Sequence, residues 1–253
     1  MNQVIIMAGG KGTRMNMVEK PKTMIEVAGK PIVEHIVEAA EKAVPETKPV
    51  VIVGFQGHTI VEHFGDRIHA VEQKEQLGTG HAVACAAPLL RDERDIEHVI
   101  VLAGDQPLIS ELTIRTVLTH HRDRSETVTL GTVVVPDYEG INAHLLHYGR
   151  IVRGEDGSVL RIVEYKDATD AERALREVNT SIYCFDAEWL WEHIDRLESD
   201  NAAKEFYLTD LIAMAMGEGR TVCALALPNP EEGLNVNTPE QLEVIEGIFG
   251  NRL

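Results

Sequence analysis

The sequence predicts an α/β fold, a mostly parallel sheet with helices on both faces, followed by a β-rich second lobe. Three observations carry that prediction. Short apolar runs recur at Val4–Met7, Val50–Val53 and His98–Ala103, with a third, short strand at Ile68–Val71, and Val4–Met7 reads as a buried strand. Between them lie stretches whose apolar residues repeat at helical spacing, and strands alternating with helices form parallel sheets. From Thr127 onward the chain changes to strands separated by turns.

Each element has its own signal. Val4–Met7 runs straight into glycines. Pro31 opens a helix, because its fixed φ and missing N–H suit the first turn. Ile32, Val33, Ile36, Val37 and Ala40 form the apolar stripe of that helix, with Glu34, Glu38, Glu41 and Lys42 turned elsewhere. Val50–Val53 stops at Gly54, a short helix covers Thr59–Phe64, and Ile68–Val71 is a third strand. Thr79–Leu90 reads as one Ala-rich helix. His98–Ala103 ends at Gly104-Asp105, and Ser110 caps the next helix. Thr127–Val135 is a strand. Gly149–Val152 and Val159–Val163 flank Glu155-Asp156-Gly157, a hairpin turn. Asn179–Phe185 and Thr221–Leu227 are further strands, with helices at Ala187–Leu197, Leu208–Met216 and Pro239–Ile248. No repeat or linker divides the chain, so residues 1–253 read as a single domain.

Composition narrows the function classes. The 253 residues are 44% hydrophobic and 26% charged, an ordinary globular balance. A net charge of −17 repels phosphate polymers and anionic lipid, so no broad nucleic-acid face and no membrane surface are expected. No apolar run approaches the roughly 18 residues a spanning helix needs. The first residues lack a basic leader and read as a strand rather than a signal peptide. Cys85, Cys184 and Cys223 are far apart and odd in number. They offer no metal spacing and no disulfide framework, which implies a reducing cytoplasm, and they read as buried apolar residues.

Ligands of such sheets bind beyond the carboxyl ends of the strands. Two segments end there. Met7-Ala8-Gly9-Gly10-Lys11-Gly12-Thr13-Arg14 is a glycine turn whose backbone N–H groups can face an anion. It is neither a Walker A loop nor a dinucleotide fingerprint. The first 30 residues carry five cations against two carboxylates, a basic island in an acidic protein. The second segment, Gly104-Asp105-Gln106-Pro107-Leu108, places a carboxylate at a strand end, where it is either a Mg²⁺ ligand or a turn former. Gln73 to Ala82 offers glycine and amide groups that either read a base edge or simply precede a helix capped by Thr79. Glu164, with Tyr165-Lys166-Asp167 and Asn179-Thr180-Ser181, suits sugar hydroxyls or edge-strand polarity. In Gly233-Leu234-Asn235-Val236-Asn237 the Asn residues are turn formers or a metal ligand. The 11 histidines show no metalloprotease spacing, and none is assigned to catalysis. His120-His121 falls late in a helix, where a cation suits the dipole.

Taken together these stretches resemble the uridyltransferase domain of bacterial bifunctional N-acetylglucosamine-1-phosphate uridyltransferase/glucosamine-1-phosphate acetyltransferases. The family's AAGKGTRM…PK opening is matched by Ala8–Met15 and Pro21-Lys22, and its EQLGTGHA by Glu75–Ala82. GDxPL is matched by Gly104–Leu108, GRIVR by Gly149–Arg153, the KDAT segment by Ile162–Thr169, and the NT strand by Glu177–Tyr183. Glu205–Ile212, Gly233–Asn235 and Gln241-Leu242 complete the order. Gly9 departs from the usual Ala, Ala103 stands where an aromatic is common, and Ser181 stands where the family has Gly.

The resemblance implies a Rossmann-like fold of the nucleotide-diphospho-sugar transferase type, with a nucleotide-binding half at residues 1–110 and a sugar-binding half with a C-terminal helix at residues 111–253. It implies uridylyl transfer from UTP to N-acetyl-α-D-glucosamine 1-phosphate. The same chemistry on another sugar 1-phosphate such as glucose 1-phosphate, with UTP or dTTP, and a non-catalytic sugar-nucleotide sensor are the alternatives. Met7, Ala8, Gly9 and Gly10 would contact the nucleotide, Arg14 and Lys22 its phosphates, and Gln73, Gly78 and Thr79 the uracil. Asp105 and Asn235 would hold Mg²⁺, with Arg14, Lys22 and Asp105 the catalytic set. Gly149, Glu164 and Asn179 would hold the sugar. The hexapeptide repeats of the family's β-helix are missing from this sequence, so uridylyl transfer without acetyl transfer is expected, and the oligomeric state is left open.

Overall fold

The structure is a computed structural model and describes residues 1–10, 12, 20–201 and 203–252. In chain order its elements begin with β1 (Asn2–Met7), β2 (Glu26–Val27), β3 (Lys30–Pro31), α1 (Ile32–Ala43), β4 (Val50–Val53), α2 (His58–Phe64) and β5 (His69–Glu72). Then come α3 (Thr79–Ala84), α4 (Ala87–Leu90), β6 (His98–Ala103), α5 (Glu111–Arg124) and β7 (Val128–Val134). The second lobe adds β8 (Arg150–Arg153), β9 (Val159–Val163), α6 (Asp170–Arg173), β10 (Glu177–Asp186), α7 (Ala187–His193), α8 (Thr209–Gly217), β11 (Val222–Ala226) and α9 (Pro239–Arg252).

Among the described residues, nine strands form one sheet, with β11-β7-β10-β6-β1-β4-β5 in order and the β8–β9 hairpin joined to β10. All main-path pairings are parallel except those of β10, which runs antiparallel to β6 and β7. The chain winds outward in both directions from β1, since β4 lies on one side and β6 on the other. That reversal opens a crevice at the carboxyl ends of β1 and β6, where such sheets bind ligands.

Alternation along β1 explains the two cores. Val4 and Ile6 face the layer that holds Ile32, Val33, Ile36 and Val37 of α1 and Ile114 and Val117 of α5. Ile5 faces the other layer, with Val83 of α3, Leu190 of α7 and Leu211 of α8. Each such side chain, fully removed from water, is worth about 1.5–3 kcal/mol. The sheet's centre is therefore rigid, and the loops at its carboxyl edge stand on fixed supports.

Three expectations need correction. Thr79–Leu90 is two short helices, because Pro88 has no N–H and its ring would strike the carbonyl a turn earlier in a continuous helix. His121 is no cation at a helix end. It is fully buried, its Nδ1 sits 3.0 Å from Thr129 Oγ1, and burial pushes its pKa down to about 3. Of the cysteines, Cys184 is buried, whereas Cys85 and Cys223 are half-exposed. Among the described residues no helix is long and apolar enough to cross a membrane.

Candidate functional site

The cleft begins where β1 and β6 end side by side. Met7 pairs with Ala103, and the Gly104 N–H donates to Met7 O at 2.9 Å. This pairing brings the glycine turn and Gly104-Asp105 together. Gly12 has φ of 62°, and a Cβ there would lie 2.6 Å from Lys22 Cβ. Glycine at that position lets the turn close over the Lys22 stem.

Lys22 is 8% exposed, yet its ammonium is well supplied. Nζ donates to Asp105 Oδ2 at 2.6 Å and to Asn237 Oδ1 at 2.7 Å. Two backbone ties hold this group in place. Val236 N–H donates to Asp105 O at 2.9 Å, and the buried Gln106 amide donates to Thr180 O at 2.7 Å and Gly233 O at 3.1 Å. Gln106 thus links the loops after β6, within β10 and before α9. Asn235 Oδ1 is buried and has no hydrogen-bond partner. An unpartnered buried amide oxygen in the same cavity lining as a carboxylate is costly by itself, and it fits a hard cation that takes oxygen ligands.

A cavity of about 340 Å³ opens here, lined among others by Met7, Gly9, Gly10, Lys22, Asp105 and Asn235. Its far wall carries Gln73, Gln76, Gly78, Thr79 and Glu205. The Gln73 side chain is buried, and its Nε2 lies 3.1 Å from both Gly78 O and His81 Nδ1. Its Oε1 packs against Gly9, where a Cβ would come within 2.9 Å of it. Gly78 has φ of 112°, and a Cβ there would strike Phe206 O at 2.5 Å. Thr79 is not the helix cap. Gly78 takes that position, and Thr79 Oγ1 accepts from Leu208 N–H at 3.0 Å.

A second cavity, about 580 Å³, continues from the first across Met7, Thr79 and Ser181. Glu164, Asn179 and Tyr183 line it, and Asp167 and Tyr207 stand at its wall. Gly149 O accepts from Asn179 N–H at 2.9 Å, and a Cβ on Gly149 would lie 3.4 Å from a Glu164 carboxylate oxygen. Asn179 Nδ2 donates to Tyr183 Oη at 2.7 Å. Burial, with the Asp167 and Asp210 carboxylates behind it, pushes the Glu164 pKa up. Ser181 sits at the join of the two cavities with φ of 61°, a left-handed conformation that glycine adopts without strain.

The structure therefore gathers Met7, Gly9, Gly10, Lys22, Gln73, Gly78, Thr79, Asp105 and Asn235 around one cavity and Glu164 and Asn179 around its extension, with Gly149 beside them but outside the cavity's lining. Ala8 stands apart. It is buried, and its N–H is spent on Ile52 O at 2.9 Å, so it supports the turn from behind. Arg14 lies outside the described residues. Sequence reasoning gave no separate role to Gln76, Gln106 or Tyr183, and it took Asn237 with Asn235 as a turn former or metal ligand, whereas Asn237 Oδ1 accepts from Lys22. Gln106 and Asn237 sit inside motifs already marked by their neighbours, but nothing in the sequence says which polar residue points inward.

Residues 4–207 match the MobA-like NTP transferase domain family. The chain belongs to that family. It is 40% identical over 250 residues to the bifunctional protein GlmU of Brevibacillus brevis, with 98% of this chain and 52% of that protein aligned. It is 40% identical over 249 residues to the bifunctional protein GlmU of Bacillus subtilis, with the same shares aligned. The chain thus spans about half the length of the curated relatives it matches. The fold is that of a UDP-glucose pyrophosphorylase complexed with UDP-glucose, with a TM-score of 0.80, 16% identity and 100% of both chains covered. A CMP:2-keto-3-deoxy-manno-octonic acid synthetase complexed with CTP also shares it, with a TM-score of 0.69, 18% identity and 100% and 99% of the two chains covered.

Proposed function

We propose that this chain is a Mg²⁺-dependent cytoplasmic uridylyltransferase that joins UTP to N-acetyl-α-D-glucosamine 1-phosphate, giving UDP-N-acetylglucosamine and pyrophosphate. The observation that carries the reading is the continuous cleft. A nearly buried lysine–carboxylate pair lines its first cavity together with Gln73 and Gln76, and Glu164 and Asn179 line the second, which joins the first at Met7, Thr79 and Ser181.

The reaction needs positioning more than acid–base chemistry. A phosphate oxygen of the sugar 1-phosphate forms a bond to the α-phosphorus of UTP. The bond from that phosphorus to the bridging oxygen breaks, and its electron pair leaves on pyrophosphate. The nucleophile is already an anion, so no general base is required. Lys22 spends two of its three N–H donors on Asp105 and Asn237, which leaves the third for a phosphate oxygen. Fixed charge of this kind needs no reorganisation as the transition state forms. Arg14 would add a second cation for the leaving pyrophosphate. When bound, Mg²⁺ held by Asp105 and Asn235 would neutralise phosphate charge and draw the two substrates together.

Base choice follows from donor counting. With its Nε2 engaged by Gly78 O and His81, Gln73 offers Oε1 as an acceptor. Uracil and thymine carry an N3–H donor for it, whereas cytosine has only an acceptor there. In the second cavity Glu164 accepts from sugar hydroxyls, and Asn179, oriented by Tyr183, faces the acetylated sugar with Gly149 behind it.

Ser181 and Ala103 favour keeping a second sugar in view, since both line the cleft where the family more often has Gly and an aromatic. That reading is the same transfer onto glucose 1-phosphate. Equilibrium binding separates the outcomes. UTP with Mg²⁺ should bind at least about tenfold more tightly than CTP, a difference of about 1.4 kcal/mol. Equal affinity for both would sink the base assignment to Gln73.

A further inference from the structure

At the opposite end of the sheet from the cleft, three side chains converge that the proposed reaction does not use. His120 lies in the last turns of α5, Glu126 just before β7, and Cys223 in β11. Each offers one donor atom, and the three atoms lie within 4.8 Å of one another. His120 Nε2 is 3.1 Å from Cys223 Sγ. All three residues are partly exposed. Their spacing matches no metal motif because topology makes the group. Parallel pairing sets Cys223 beside Thr129, and α5 runs back across the sheet to bring His120 over the same strand ends.

We propose that His120, Glu126 and Cys223 form a binding site for one divalent transition metal of the zinc class, separate from the Mg²⁺ ligands of the cleft. A thiolate, an imidazole and a carboxylate together suit Zn²⁺, whereas Mg²⁺ takes oxygen donors alone. The thiolate and carboxylate charges balance the dication. Zinc bonds of about 2.0–2.3 Å hold tetrahedral ligands roughly 3.3–3.8 Å apart, so the widest separation in the group has to close by about 1–1.5 Å, while His120 Nε2 and Cys223 Sγ have to open slightly. His120 and Glu126 are partly exposed and have room to turn. Water completes the fourth position on the open side.

Binding requires Cys223 to give its thiol proton to solvent as the sulfur–metal bond forms, with no change of oxidation state. Burial and the Glu126 carboxylate push the free thiol's pKa up, while Arg124 and Arg153 act the other way. Arg153 is held off by two bonds to Glu177, at 2.6 and 2.7 Å. A bound metal would tie the edge strand β11 to helix α5, closing a loop of about a hundred residues.

The test is a Co²⁺ titration of metal-stripped protein, read by thiolate-to-cobalt charge-transfer absorption and the visible bands of tetrahedral Co²⁺. The proposal expects both to saturate at about one equivalent and to be displaced by Zn²⁺. Cys223→Ser should abolish the charge-transfer band. His120→Ala should weaken binding more than about tenfold. Cys85→Ser should change nothing, which matters because Cys85 Sγ lies 3.9 Å from His81 Nε2 and is the competing thiol. Zn²⁺ should raise the midpoint of thermal unfolding in the wild type and not in Cys223→Ser. No charge-transfer band, a band that survives Cys223→Ser, or one that is lost with Cys85→Ser would overturn the proposal.

Discussion

Lys22 Nζ and Asp105 Oδ2 are 2.6 Å apart, a nearly buried ion pair at the mouth of the two central strands. Neither residue is placed by its own element alone. Gly12 closes the turn over the lysine stem, and Val236 N–H and the neighbouring Gln106 fix the aspartate loop. The pair has an amide oxygen of Asn237 as its third member, so two of the lysine's three donors are engaged before any substrate arrives.

Removing either charge should cost catalysis far more than folding. In Asp105→Asn the amide oxygen can still accept from Lys22, so the chain should fold. Turnover should drop by about 10²-fold or more, as when a preorganised charged group is lost. Lys22→Ala should lower turnover comparably, and thermal unfolding should shift little, since Asp105 keeps 18% side-chain exposure to water. Pyrophosphate release and a melting curve on each variant check this. Near wild-type turnover in either would remove that residue from the site.

Ser181 holds φ of 61° at the junction of the two cavities. Ser181→Gly should relieve that strain and stabilise the protein by about 1 kcal/mol, read as a raised urea midpoint with unchanged slope. It should also raise turnover with N-acetylglucosamine 1-phosphate relative to glucose 1-phosphate. An unchanged ratio would show that the serine does not bear on sugar choice.

Glu164 is half-buried near the Asp167 and Asp210 carboxylates, and desolvation raises its pKa. A raised carboxyl costs stability at neutral pH, and that cost disappears as pH falls below the usual glutamate range. Glu164→Gln should therefore melt higher than wild type at pH 7. The same change should raise the KM for the sugar 1-phosphate by about tenfold, the value of a charged hydrogen bond. Higher stability without a KM change would place Glu164 outside sugar binding.

His121 makes folding sensitive to acid. Its pKa falls from 6.5 in the unfolded chain to about 3 in the folded one. The stability it permits is intact above pH 6.5 and is lost as pH falls toward 3, because the unfolded chain takes up a proton that the folded one refuses. The slope is about 1.4 kcal/mol per unit, so roughly 2 kcal/mol goes between pH 7 and pH 5. His98, whose ring centroid lies 5.1 Å away and whose pKa is also lowered, adds to the effect. Urea unfolding from pH 7 to pH 5 should show the loss, and His121→Gln should flatten the slope. An unaltered slope in that variant would contradict the assignment.

Much of this architecture can be read in the sequence, for definite physical reasons. Strands buried on both faces must be uninterrupted apolar runs, so Val50–Val53 and His98–Ala103 announce themselves to the residue. Site motifs are legible where glycine geometry leaves a mark, as at Gly9, Gly78 and Gly104. What escapes is direction. Ala8 belongs to a matched motif yet faces the sheet, and Asn237 shares a loop with Asn235 yet binds Lys22 rather than standing unpartnered. Pro88 divides a helix that alanine content alone would run together. The His120, Glu126 and Cys223 group is invisible in one dimension because two sheet crossings assemble it.

The most direct test of the central claim is initial-rate pyrophosphate release with Mg²⁺, crossing four nucleoside triphosphates against N-acetylglucosamine, glucosamine and glucose 1-phosphates. Strong turnover is expected with UTP and N-acetylglucosamine 1-phosphate, and little with the other pairs. Turnover with glucose 1-phosphate instead would keep the mechanism and overturn the sugar. Tight UTP binding with no pyrophosphate from any pair would contradict the account and leave a sugar-nucleotide sensor in its place.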